Sequence, residues 1–111
     1  MRFKKYDIIL VNFPFSNLKE SKIRPALVVM PLEGENTILC QITTKKRNMQ
    51  KYEIFLRKKS CEGNIRFNSY IYIYMIFTLH ESLIVNKIGT IKDEEVKKEI
   101  DSKIKQLFEM D

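Results

Sequence analysis

The stretch DIILVNFPFSNLKESKIRPALVV, Asp7 to Val29, holds two apolar runs separated by a polar loop, and its second run opens on Arg24-Pro25. Runs of Ile, Leu and Val bounded by Ser, Asn and charged residues read as strands joined by a loop. Pro25 disfavours helical backbone at the residue before it, so Arg24 is delivered extended at a strand entrance. A guanidinium held there is a ready phosphate ligand, because its rigid fork of donors matches phosphate oxygens and keeps its charge at any physiological pH.

Outward from this stretch the same pattern repeats. Short runs rich in Ile, Val, Tyr and Phe predict strands over Asp7 to Asn12, Ala26 to Met30, Thr37 to Ile42, Tyr52 to Arg57, Tyr70 to Phe77 and Leu83 to Lys87. Ser16-Asn17, Glu33-Gly34-Glu35-Asn36 and Glu62-Gly63-Asn64 separate them as turns. After Gly89 the spacing becomes helical, with Val96, Ile100, Ile104, Leu107 and Phe108 on one stripe and Asp93, Glu94 and Glu95 in the first turn, where carboxylates favour the helix dipole. The expectation is a mainly β fold, a small barrel of about six or seven short strands capped by a C-terminal α-helix. Residues 1–111 read as one domain, without linker, repeat or low-complexity segment.

Composition narrows the chemistry. Cys40 and Cys61 lack metal-ligand spacing, and the single His80 cannot complete a four-ligand zinc site with them, so both thiols are expected reduced, in or near the core. No apolar stretch approaches the roughly 20 residues of a membrane span, and MRFKKYD has no signal core. A cytoplasmic protein with no membrane role is expected. The charge is lopsided: residues 1–60 carry 13 Lys or Arg against 5 Asp or Glu, while residues 61–111 carry 7 against 9. The basic half, with clusters at Arg2, Lys4 and Lys5, at Lys45, Lys46 and Arg47, and at Arg57, Lys58 and Lys59, is where a polyanion would bind.

The acids in the strand-rich region are scattered and there is no His pair, which argues against a metal-dependent nuclease. His80, in TLHES, reads as a surface or capping residue. RNA cleavage needs less equipment. The neighbouring 2′-hydroxyl is a built-in nucleophile, and the protein must align it and stabilise charge developing on the phosphorus. An arginine and a hydroxyl could suffice.

FPFSNLKESKIRPALVV, followed by ILCQITTK and later by SYIYIYMIFTLHESLIVNKIGTI with its charged terminal helix, closely resembles the MazF/PemK family of toxins from bacterial toxin–antitoxin pairs. The resemblance runs from Tyr6 to Phe108. It implies an SH3-like barrel with a terminal helix, a homodimer, a cognate antitoxin as partner, and a metal-independent endoribonuclease without cofactor. Such an enzyme is selective for short sequences in single-stranded RNA and leaves a 2′,3′-cyclic phosphate and a 5′-hydroxyl.

Residue by residue, Arg24 matches the family's catalytic arginine, holding the scissile phosphate, and Thr43 matches the catalytic threonine of its Ile-Thr element. Thr44 would point to the opposite face if both threonines lie in the strand. The family's proposed general base lies five residues before the arginine. That position is Lys19 here, with Glu20 four before, so Glu20 is a candidate base if the loop absorbs the shift and a solvated loop residue otherwise. Lys19, Lys22, Thr44, Lys45, Lys46, Arg47 and Tyr72 are the expected RNA-contacting residues. Two departures stand out. Tyr6 occupies the place of a family glycine, and Ser69-Tyr70-Ile71-Tyr72-Ile73-Tyr74-Met75 replaces a strand that carries an arginine after Ser-Tyr-Ile in relatives. Tyr70, Tyr72 and Tyr74 at alternating positions form either a packed surface or a stacking platform for unpaired bases. The alternative function is a non-catalytic or gyrase-inhibiting toxin that binds nucleic acid or protein without cleaving.

Overall fold

In the computed structural model, which describes residues 3–14 and 21–109, the two apolar runs form β1 (Asp7–Pro14) and β2 (Ser21–Pro31). They pair antiparallel, Ile8 opposite Leu27 and Val11 opposite Arg24. The chain continues through β3 (Asn36–Thr43), β4 (Glu53–Leu56), a 3-10 turn at Lys58–Ser60, β5 (Cys61–Gly63), β6 (Ser69–His80), a second 3-10 turn at Glu81–Leu83, β7 (Ile84–Ile91) and α1 (Glu94–Phe108). All seven strands form one antiparallel sheet in the order β4-β6-β3-β2-β1-β7-β5. The sheet is not closed, since β4 and β5 are its edges. Register shifts in β1 against β7, β2 against β3 and β3 against β6 mark bulges, which sharpen twist and bend the sheet into a barrel-like form.

Both faces of the central strands are buried, which is why they read as continuous apolar runs. Ile8, Leu27, Cys40, Ile42, Ile54, Leu56, Ile71, Ile73 and Ile91 gather on one side with Ile100 of α1. Ile9, Val11, Ala26, Val28, Leu39 and Ile84 gather on the other with Phe3. Val96, Ile104 and Leu107 pack around Ile100 as the helical stripe requires, whereas Phe108, expected on that stripe, is 67% exposed at the last helical turn. Asp93 caps the helix: one carboxylate oxygen accepts the Glu95 N–H at 3.0 Å and the other the hydroxyl of buried Ser60 at 3.1 Å. Replacing Asp93 by alanine should therefore cost about 1–2 kcal/mol in urea denaturation, with Asp93→Asn retaining most of it.

β1, β2, β3 and β6 run longer than their apolar cores predict, β4 is shorter than the expected Tyr52 to Arg57, β7 is displaced to Ile84–Ile91, and β5 overlaps the segment read as turn at Glu62-Gly63-Asn64. Three residues are too few for a two-residue period to register. Tyr6, where the resembled family has glycine, lies at φ +76°, the left-handed region that favours glycine. Its side chain offsets that strain: the hydroxyl donates to Asp101 at 2.7 Å, and Lys5 and Lys97 sit over the ring at 5.1 and 5.2 Å. Its backbone ties the strand start to both neighbours, giving its N–H to Val28 and accepting from Ile91.

Both thiols are free, Cys40 buried and Cys61 half-buried. Burial pushes Cys40 from an ordinary 9 up to about 12 and Cys61 up to about 11. With both values raised in the fold, the stabilising contribution of the neutral thiols is intact below pH 9 and is lost as pH rises through about 11 and 12. At pH 8 iodoacetamide should leave Cys40 unmodified in the native protein and label it once denaturant is added, as mass spectrometry would show.

Candidate functional site

The site begins where two paired strands part. β2 stays on β1 down to Ser21 opposite Pro14, and β3 stays on β6 out to Thr43 opposite Tyr70. Their mutual ladder, however, stops at Ala26 opposite Gln41. Pro25 is the next residue, and it brings no N–H with which to extend the pairing. Counting on in the same register would set Arg24 against Thr43. Instead a cleft of about 510 Å³ opens at this end of the sheet, with Arg24 and Pro25 on one side, Ile42, Thr43 and Thr44 on the other, and Ile8, Leu10, Leu56 and Ile88 among its apolar lining.

Arg24 is exposed, and among the described residues its guanidinium has no hydrogen-bond or ion-pair partner. Thr43 is half-buried, and its hydroxyl oxygen accepts the Lys45 N–H at 3.2 Å, which fixes the oxygen and leaves its own hydrogen to donate. A fork of cationic donors and a positioned hydroxyl on facing walls can grip a phosphate from two sides. Thr44, first residue beyond β3, lines the same cleft. The described lining contains neither carboxylate nor imidazole. Glu20 and Lys19 lie outside the described residues.

Lys22 is exposed on β2, and Lys45, Lys46 and Arg47 are exposed on the loop after β3. That loop is anchored from below. Arg47 gives its N–H to the Glu53 carboxylate at 2.8 Å and lays its guanidinium 5.7 Å from the Tyr72 ring, and Tyr72 donates its hydroxyl to the Lys45 carbonyl. Tyr72 itself is 1% exposed, so among the described residues expected to contact RNA it is the one the structure puts in the interior. Burial first, then the nearby Glu53 carboxylate, raises its phenol above the usual 10. Tyr74 leans on Tyr52 and Tyr72 at 5.7 and 5.9 Å, so the tyrosine alternation serves packing at these two positions. His80 lies at the far end of β6, capping a 3-10 turn through Ser82 and touching Glu35 at 2.9 Å.

The remaining wall was not anticipated. Asn64, Arg66, Phe67 and Ser69 line the cleft from the β5–β6 connection, and Phe67 is 67% exposed. Arg66-Phe67, a cation beside an aromatic ring, was the available signal, but it sits between the turn read at Glu62-Gly63-Asn64 and the strand expected from Tyr70. Two glycines hold this wall. Gly63 pairs with Gly89, lies at φ +107°, and a Cβ on it would come within 2.5 Å of the Ile88 carbonyl oxygen. A Cβ on Gly89 would meet the Glu62 carbonyl oxygen at the same distance. Gly63→Ala should thus cost about 1–3 kcal/mol, read as a fall in the urea midpoint, and displace the wall.

Among the described residues no group of three or more His, Cys, Asp or Glu is placed to hold a metal ion, and no helix is long and apolar enough to cross a membrane. Comparison with known proteins gives three findings. Residues 4–108 match the family described as PemK-like, MazF-like toxins of type II toxin-antitoxin systems. No curated protein sequence gives a significant match. Among solved structures, MazE-MazF from Deinococcus radiodurans superposes with a TM-score of 0.77 at 18% identity, covering 100% of this chain and 99% of that one. Mycobacterium tuberculosis toxin MazF-mt6 gives 0.73 at 16% identity, covering 95% and 98%. An endoribonuclease in complex with its cognate antitoxin, from a mycobacterial species, gives 0.70 at 11% identity, covering 92% and 90%. At these identities the likeness is one of fold.

Proposed function

Because the chain belongs to the family of PemK-like, MazF-like toxins of type II toxin-antitoxin systems, we propose that it is a metal-independent endoribonuclease acting in the cytoplasm on single-stranded RNA. The observation that carries this reading is the meeting of Arg24, without a partner among the described residues, and Thr43 across the parted ends of β2 and β3. The scissile phosphate lies between them. The 2′-oxygen attacks phosphorus, the new P–O2′ bond closes the cyclic phosphate, and the P–O5′ bond breaks to release a 5′-hydroxyl. The guanidinium and the threonine hydroxyl stabilise the charge that builds on the non-bridging oxygens. The 2′-proton passes to a base, for which Glu20 is the candidate, and the departing 5′-oxygen takes a proton on the side of Arg24.

The exposed cations at Lys22, Lys45, Lys46 and Arg47 supply salt-dependent affinity for the RNA backbone. The protein acts as a homodimer held in check by a cognate antitoxin, whose acidic segment complements the basic half of the chain. The second reading, binding without cleavage, draws on the altered strand β6, where buried Tyr72 stands in the place of the arginine that the resembled family carries after Ser-Tyr-Ile.

Purified protein incubated with mixed-sequence RNA in chelator should yield discrete cuts at a short sequence, ending in cyclic phosphates, and Arg24→Ala should abolish them. Equal cutting by the two proteins would overturn the assignment of Arg24. An absence of cuts at every salt concentration, together with inhibition of gyrase, would favour the second reading.

A further inference from the structure

We propose that Tyr70 and Phe55, with Arg57 beside them, form a stacking subsite for an unpaired base of the RNA strand held at Arg24 and Thr43, an inference that rests on the ribonuclease reading above. Thr43 on β3 stands directly opposite Tyr70 on β6, and Tyr70 directly opposite Phe55 on β4. Directly opposed residues in antiparallel strands point to the same face of the sheet. The three side chains therefore form one row across adjacent strands, and two strand spacings put Phe55 about 10 Å from Thr43. That is the neighbourhood of a nucleotide flanking the scissile phosphate.

The row ends in an open aromatic surface. The Phe55 and Tyr70 rings lie 5.2 Å apart and tilted by 40°, and Phe55 is 44% exposed although it is a large apolar residue. The Arg57 guanidinium sits 5.8 Å from the Phe55 ring, and Lys58 and Lys59 follow it, both exposed. Rings that offer a π-face, with a guanidinium against one of them and two exposed lysines next in the chain, match a base on a phosphate backbone in both shape and charge. The row starts at the cleft, because Thr43 lines it. The stacking surface thus runs across the strands, from β3 to β4, rather than along β6.

The chain has no tryptophan, so Phe55→Trp installs a single reporter. Titrating this variant with a mixed-sequence RNA carrying 2′-O-methyl groups throughout, which cannot be cleaved, should quench its emission saturably. An abasic strand of equal length should bind without quenching. Phe55→Leu should weaken binding of the base-bearing strand roughly five- to a hundredfold and leave the abasic strand unaffected. Tyr70→Leu should act in the same direction, with thermal melts confirming that each variant is folded.

Equal affinity of wild type and Phe55→Leu for the base-bearing strand would overturn the proposal. So would an emission change that follows protein concentration without RNA, which would assign the surface to a second copy of the chain, or one elicited only by an acidic peptide. Quenching by the uncleavable strand with no cleavage of ordinary RNA would support the subsite and remove the catalytic reading. Arg24-dependent cleavage without quenching would do the reverse.

Discussion

Arg24→Lys is expected to slow RNA cleavage by roughly a hundred- to a thousandfold, the usual loss when one transition-state donor is misplaced, while leaving the melting temperature unchanged. The two halves of this result have separate causes. Arg24 is exposed and has no hydrogen-bond or ion-pair partner among the described residues, so its replacement breaks no such contact among them. Lysine keeps the charge and hence most of the attraction for the RNA backbone, but it offers a point charge on a flexible stem where arginine offers a planar fork. The loss should therefore fall on the single-turnover rate rather than on RNA affinity. A Lys variant that cuts as fast as wild type would show that charge alone is required and would remove the bidentate role.

Tyr72→Ala should lower stability by about 3–5 kcal/mol in urea denaturation, the range for truncating a buried large aromatic side chain. Tyr72 is 1% exposed, its ring packs between Tyr74 and the Arg47 guanidinium, and its hydroxyl holds the Lys45 carbonyl. Tyr72→Phe keeps the ring and loses the hydroxyl, for about 1 kcal/mol. It should also weaken RNA binding modestly by freeing the loop that carries Lys45, Lys46 and Arg47. The phenol is raised above 10 by burial, so the neutral side chain's contribution is intact below pH 10 and is lost as pH climbs through the raised value. The Phe variant should lack that alkaline loss, which a comparison of urea midpoints between pH 9 and 11 would reveal. Unchanged stability of Tyr72→Ala would mean that the ring is not part of the core.

What the sequence disclosed and what it withheld follow from the range of the interactions involved. Arg24-Pro25 and Ile42-Thr43 are local signatures, each readable within a few residues, and the structure brings both to one cleft. The helix was equally local, its stripe written in spacing, although Asp93, expected in the first turn, stands one place earlier as the N-cap. The Phe55–Tyr70 row was hidden because it depends on pairing between distant strands. Between Cys40 and Gln41 the β3–β6 register jumps, from Ile76 as partner to Tyr72, with three residues of β6 passed over. An odd shift exchanges the faces of the sheet. Without it Thr43 would stand against Ile73, and no periodicity in either strand announces the jump. The β5–β6 wall was withheld for a related reason: a three-residue strand held by facing glycines looks, in sequence, like any Gly-containing turn.

Those facing glycines divide the chain's tolerance to change. At Gly63 and Gly89 a single methyl group collides with backbone that cannot step aside. At Asn64, Arg66 and Phe67, a few ångströms on, the side chains are exposed, with room for other volumes. A library randomised at these three positions should stay folded while sampling new walls for the cleft, whereas one randomised at the glycines should yield mostly misfolded protein. Under selection the frame would hold still while the surface proposed to meet RNA drifts, so two chains with the same fold would come to prefer different sequences without losing stability.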